Sequence, residues 1–285
     1  MSTGTRAAAR LAAVALGASA VLVTLAPAAQ AAVVNNRVTA PAGMIAQSAT
    51  ATCPAGEFLS GAGGGVIGGN GDVTLTDAIP DLPGQSVTVW AHANPGAVPG
   101  AYDVVAQAIC VPGAPPPGYQ VVTMTSPGNA VAVKGQFAAC PAGTGLLGLG
   151  ASLQGGDGQV FYRQIEPNPA LSGGTVSAGA SGGYLGPWSV TAYAICATPP
   201  PGVVGSLRVS TGPNNNTSPK AQAAVCPNNS LVTGVGGAIA IAGTGNVLIS
   251  GALANQAQDT ATSSAVSDGL FLPPWDLTSY AVCYG

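Results

Sequence analysis

His92 is the only histidine in the 285-residue chain. Any relay that passes a proton from serine or cysteine through imidazole to a carboxylate must therefore use it. Its surroundings, Trp90-Ala91-His92-Ala93-Asn94, read as the end of an alternating strand with no serine-elbow motif, which makes it a surface histidine. Asp72, Asp77 and Asp81 are candidates for glycoside hydrolysis or calcium binding. The positions corresponding to them further along the chain hold Gln159, Gln164 and Asn168, and then Asn246, Gly251 and Asn255. Solvated turn carboxylates are the simpler reading. Gly68-Gly69-Asn70-Gly71-Asp72 is similar to a calcium-binding nonapeptide, but its aspartate comes one residue too early and the motif does not recur every nine residues. No catalytic, cofactor-binding or metal-binding residue is assigned.

Tyr102, Trp188 and Trp275 are the candidates for a repeated ligand-binding feature, because sugars stack on flat aromatic faces. Each stands eight residues before a cysteine, with Val104, Val190 or Leu277 six before it and Ala108, Ala194 or Ala281 two before it. Steps of two place all of these on one strand face, where a core aromatic also belongs, and the core is the stronger reading.

The cysteines show why these positions recur. Cys53, Cys140 and Cys226 are 87 and 86 residues apart, and Cys110, Cys196 and Cys283 are 86 and 87 apart. Cys-Pro-Ala-Gly opens the first two units and Cys226-Pro227-Asn228-Asn229 the third, followed by Leu59, Leu146 or Val232 and the glycine pairs Gly61/Gly63, Gly148/Gly150 and Gly234/Gly236. The chain is three copies of one unit, bounded at 32–114, 115–198 and 199–285. Pro115-Pro116-Pro117-Gly118 and Pro199-Pro200-Pro201-Gly202 separate the copies, since proline runs cannot continue a sheet ladder.

Asn70-Gly71, Asp157-Gly158 and Thr244-Gly245 stand at matching places and predict a tight hairpin in each copy. Strands beginning at Val73, Val160 and Val247 follow, and eight residues later come the turn formers Asp81, Asn168 and Asn255. The copies are Gly-rich and β-patterned, so the fold class is all-β.

An even number of cysteines at repeated spacing in an exported chain reads as disulfides, and a metal site lacks the needed Cys-x-x-Cys pair. Three pairings respect the repeat. One is internal, Cys53–Cys110, Cys140–Cys196 and Cys226–Cys283. A second joins neighbouring copies and closes a ring through Cys53 and Cys283, and a third crosses each first cysteine with the second cysteine of the next copy. The internal pattern is favoured, because it closes loops of nearly sixty residues and stabilises each unit by about 4 kcal/mol on the chain-entropy estimate.

Three copies can fold as tandem small sandwiches or close about a pseudo-threefold axis around one core. Short connections and faces rich in Ala and Gly favour closure. The Cys-Pro-Ala-Gly openings, with the endings Trp188 to Cys196 and Trp275 to Cys283, resemble repeats of secreted bacterial proteins of unknown function. More distantly, the three Cys-Pro openings resemble the vitelline membrane outer layer family. That likeness implies a β-prism of three sheets about a pseudo-threefold axis.

Arg6 and Arg10, an apolar stretch from Leu11 to Pro27 and the triplet Ala29-Gln30-Ala31 have the order of a secretory signal peptide covering residues 1–31. Without that segment five basic side chains remain against ten acidic ones. Arg37, Lys134, Arg163, Arg208 and Lys220 are dispersed along the sequence, whereas phosphate binding needs them clustered, so nucleic-acid and anionic-membrane partners are not expected. No later stretch is long and apolar enough for a transmembrane segment.

The expected protein is secreted, extracellular and non-enzymatic, and engages envelope or matrix polysaccharide through repeated weak sites whose joint display adds avidity. The alternatives are a secreted hydrolase using the carboxylates of the first copy and an extracellular protease inhibitor. Protein recovered from culture medium should begin at Ala32. N-terminal sequencing checks this, and an intact residue 1–31 segment would refute it.

Overall fold

The computed structural model describes residues 31–156, 158–241, 247–267 and 273–285. The expected signal segment up to residue 30 and the turn residues Asp157, Thr244, Gly245 and Asn246 lie outside the described residues.

Copy one supplies β1 (Ala32–Ala40), β2 (Ala46–Thr52), β3 (Glu57–Gly68), β4 (Val73–Asp81), β5 (Ser86–Ala93) and β6 (Tyr102–Pro112). Copy two supplies β7 (Gln120–Thr125), β8 (Val133–Ala139), β9 (Gly145–Gln154), β10 (Val160–Pro167), β11 (Gly173–Ala180) and β12 (Ser189–Ala197). Copy three supplies β13 (Gly205–Thr211), β14 (Lys220–Val225), β15 (Leu231–Ile241), β16 (Val247–Ala254), β17 (Thr260–Ser267) and β18 (Trp275–Tyr284). Among the described residues there is no α-helix, and hence none long and apolar enough to cross a membrane.

The strands form three six-stranded sheets, ordered β1-β6-β3-β16-β17-β14, β2-β5-β4-β9-β12-β7 and β13-β18-β15-β10-β11-β8. Every sheet takes three strands from one copy and three from another, and the sharing runs round all three copies. The architecture is a pseudo-threefold, prism-like closure rather than tandem sandwiches. One core cluster accordingly runs from Ala40 and Tyr102 of copy one through Leu149 and Trp188 of copy two to Ile249 and Val282 of copy three. The disulfides join Cys53 to Cys110, Cys140 to Cys196 and Cys226 to Cys283, each tying the start of a copy to its last strand.

None of the three hairpins expected from the Asn-Gly, Asp-Gly and Thr-Gly pairs forms: β3 and β4, β9 and β10, and β15 and β16 each belong to two different sheets. Asn70-Gly71 lies in a 3-10 turn, Gly69–Gly71, between β3 and β4. These two strands pair with β6 and β16 and with β5 and β9, respectively, and not with each other. The turn is a corner that hands the chain from one sheet to the next. Gly68, Gly69 and Gly71 have φ of 89°, 71° and 89°, which is why glycine crowds there. The hairpins form one strand later, beyond Asp81, Asn168 and Asn255, where β4, β10 and β16 turn into β5, β11 and β17.

Copies meet in seams only two residue pairs long: Gly65–Gly251 and Gly64–Ala252, Asp77–Ser152 and Ala78–Ala151, Gln164–Ala238 and Ile165–Gly237. Beyond each seam β3, β9 and β15 leave their partners and converge near the axis. A bulge residue stands there in each strand, Ser60, Leu147 or Thr233, and a glycine follows it. A methyl group on Gly148 would stand 2.6 Å from the Ser60 carbonyl oxygen and 2.8 Å from the Gly61 Cα. One on Gly234 would stand 2.6 Å from the Gly148 Cα, and one on Gly61 would collide with the Thr233 carbonyl.

Gly148→Ala should therefore lower unfolding free energy by about 3 kcal/mol or more, because the obstructing atoms are backbone. Gly182→Ala, with nothing within 4 Å of the new methyl, should stay within about 0.5 kcal/mol of the parent. Denaturant melts of the two variants compare them, and equal midpoints would contradict the axial packing.

Candidate functional site

The outer face of the sheet β2-β5-β4-β9-β12-β7 carries the residues best suited to chemistry. β5 alternates Val87, Val89 and Ala91 into the core with Thr88, Trp90 and His92 away from it. Trp90 is 39 % exposed, while Trp188 and Trp275 are buried. Its ring is stacked with that of His92 at 6.2 Å between centroids and 20° between planes. Directly across from Trp90 on β4 lies Asp77. Thr76, the bulge residue beside it, brings these groups together.

Thr76 Oγ1 donates to Asp77 Oδ2 at 2.9 Å and lies 3.0 Å from His92 Nδ1. With the threonine proton directed at the carboxylate, the hydroxyl oxygen is left to accept from Nδ1–H. The Tyr162 hydroxyl holds the Thr76 carbonyl from below at 2.5 Å. Beyond the seam, Ser152 and Tyr193 share a hydrogen bond of 3.2 Å. Burial pushes the Asp77 pKa up to about 6, opposed by the bonds from the Thr76 hydroxyl and the Leu153 amide. The face thus combines an exposed indole, an imidazole and a carboxylate whose pKa burial raises, over the buried hydroxyls of Thr76 and Ser152.

The bulge recurs in every copy, and its dressing does not. Thr76, Arg163 and Ser250 are the bulge residues. Across from the following residue stand Trp90, Ser177 and Ser264, respectively. In copy two the Arg163 guanidinium lies 5.5 Å from the Phe161 ring centroid. The sheet shared by copies one and three instead carries the Arg37–Asp103 ion pair, with Thr39 donating to the same aspartate at 2.5 Å.

Of the three aspartates considered together from the sequence, only Asp77 joins this cluster. Asp72 directly precedes β4 and Asp81 ends it, with Cα atoms roughly 16 and 13 Å from that of Asp77 at the rise of an extended strand. Asp81 also folds back over its own turn, towards Gly84. A paired-carboxylate hydrolase needs its two groups ~5–10 Å apart, and β4 does not assemble such a pair. Among the described residues no group of three His, Cys, Asp or Glu is placed to hold a metal ion.

Tyr102, Trp188 and Trp275 are in the core, 1 %, 2 % and 0 % exposed. No face of these rings is open for a sugar to stack on. The rings of Trp188 and Trp275 instead lie beneath Lys134 and Lys220, with Nζ 4.4 and 4.1 Å from their centroids. Lys134 Nζ donates to the carbonyls of Pro127 at 2.9 Å, Asn129 at 2.7 Å and Trp188, and Lys220 Nζ to those of Pro213 at 3.0 Å, Asn215 at 2.9 Å and Trp275. In the sequence both lysines stand only among five dispersed basic residues. The signal for their shared role is a lysine six residues before the cysteine and seven after a proline, in two copies.

No family model matches the chain, and no curated protein sequence matches it. Architecture therefore defines the class: an all-β, disulfide-containing threefold repeat.

Asp77 gives this face a pH signature. Its folded-state pKa lies above the ordinary value, so the fold disfavours the ionised form. This penalty is absent below about pH 4 and complete above the folded pKa of about 6. Between pH 4 and 7 the parent should lose up to about 3 kcal/mol relative to Asp77→Asn, read from denaturant melts across that range. A difference independent of pH would show that Asp77 is an ordinary carboxylate.

Proposed function

We propose that this is a secreted, non-enzymatic binding protein that engages polysaccharide of a cell envelope or extracellular matrix through the face built around Trp90. The observation that carries this reading is the exposed indole on the outward face of its sheet, beside His92, Asp77 and Tyr193, with the hydroxyls of Thr76 and Ser152 buried beneath them. Pyranose rings present C–H faces to aromatic surfaces and hydroxyls to the groups beside them, and this face offers both kinds of partner. Trp90 and His92 have no counterparts in the other copies, so the reading is of one site per chain. Three disulfides fit an oxidising, extracellular compartment. The expected signal peptide points the same way, and β1 begins at Ala32, directly after the expected cleavage point.

Retention of residues 32–285 on insoluble cellulose, chitin and isolated bacterial cell wall tests the proposal. The parent should be retained by at least one of them, and Trp90→Ala should weaken retention about tenfold or more, the loss of ~1.4 kcal/mol or more expected of a central aromatic contact. Phe137→Ala, which removes an exposed ring from a different sheet, should leave retention unchanged. No retention of the parent on any of the three, or equal retention of Trp90→Ala, would overturn it.

A further inference from the structure

The prism closes differently at the end where the disulfides and proline connections gather. Tyr119, at the start of copy two, places its hydroxyl on the Leu59 carbonyl at 2.6 Å, and Tyr284, at the end of copy three, places its hydroxyl on the Leu146 carbonyl at 3.0 Å. Leu59 and Leu146 are equivalent positions of copies one and two. The third equivalent is Val232, and its neighbours Leu231 and Thr233 line a cavity of about 350 Å³. The three axial bulge residues, Ser60, Leu147 and Thr233, all line it, and the proline connections after copies one and two form part of its wall. The cavity thus lies on the pseudo-threefold axis, at a break in the symmetry.

The chemistry of its lining is restricted. The hydroxyls are already committed to backbone carbonyls: Ser60 to Ile109 at 3.0 Å, Thr198 to Gly143 at 3.2 Å, Thr233 to Leu147 at 2.8 Å and Tyr284 to Leu146. No Asp, Glu, Lys, Arg or His side chain is among the lining residues. A charged ligand would lose its hydration there without gaining an oppositely charged side chain, whereas an apolar one loses nothing. The volume is at the lower end of the range of small-molecule sites, which excludes a polymer chain from its interior.

We propose that this cavity binds one uncharged, predominantly apolar small molecule, of the size of a short acyl chain or a small fused-ring aromatic. The site is separate from the Trp90 face and independent of the polysaccharide reading.

Fluorescence titration of residues 32–285 with 1-aminoanthracene, an uncharged probe, tests it. Saturable binding of one probe per chain is expected, with displacement by 1-decanol at least tenfold more effective than by decanoate at pH 8. Ala114→Trp and Val203→Trp, two separate substitutions on the connecting segments that line the cavity, should each weaken probe binding at least tenfold while thermal melts remain cooperative. Trp90→Ala should bind the probe like the parent. Absence of saturable binding, unchanged affinity in both filled variants, or equal displacement by decanoate and decanol would overturn the proposal.

Discussion

Three backbones meet where no side chain fits. Gly61, Gly148 and Gly234 bring β3, β9 and β15 within a methyl group's width of one another, and the obstructing atoms are carbonyl oxygens and α-carbons that cannot rotate away. From this approach follow the short seams, since a strand that turns inward to the axis must leave its sheet partner after two residue pairs. The bulges follow too, because one extra residue bends and twists the strand where it departs. A core assembled in this way belongs to all three copies, and the disulfides then fasten each copy's opening segment to its closing strand within that common body.

Much of this was legible in the residues themselves. Cysteine spacing and the glycine pairs gave the copies, the two-residue alternation from Tyr102, Trp188 and Trp275 towards the cysteines gave the inward face, and faces rich in Ala and Gly pointed to closure of the copies on one another. The partner of each strand was not legible. An Asn-Gly pair reports that the chain must turn with positive φ, and that requirement is the same at a hairpin and at a corner between sheets. Which of the two forms depends on where the next apolar face finds cover, and for β4 that cover includes β9, in another copy. The candidate site was hidden for a related reason. Trp90, His92 and Asp77 are separated in sequence by a turn, and only the register of β4 against β5, offset by the bulge at Thr76, sets them side by side.

The division between inside and outside explains why the repeat is strict on one side of each strand and loose on the other. Positions that face the core are held alike in all copies by packing. Tyr102, Trp188 and Trp275 are of this kind, so their recurrence reports the fold and not a repeated ligand. Outward positions next to the same bulge escape that restraint and differ: Thr76 with Trp90, Arg163 with Ser177, and Ser250 with Ser264. In a repeat protein whose core is symmetric, the places where symmetry fails are the ones released to specialise. The Trp90 face and the axial cavity are both such places.

The buried lysines show how that core restraint operates when it involves charge. Burial lowers the pKa of Lys134 and Lys220, and three carbonyl dipoles with an indole face oppose this by favouring the ammonium form. Such a group is tolerable only with its full set of partners, because a buried charge left without them costs several kcal/mol. Copy one has neither half of the arrangement. Gln47 stands six residues before its cysteine, where the other copies have lysine, and Tyr102 stands in place of tryptophan. The tyrosine hydroxyl donates to the Met44 carbonyl at 3.2 Å, so the loop between β1 and β2 is held by a neutral donor from the strand instead of a cation from the other side. The lysine and the tryptophan are thus replaced together. The loop must be fastened to the last strand of its copy, and either a caged ammonium under an indole or a phenol hydroxyl can do it.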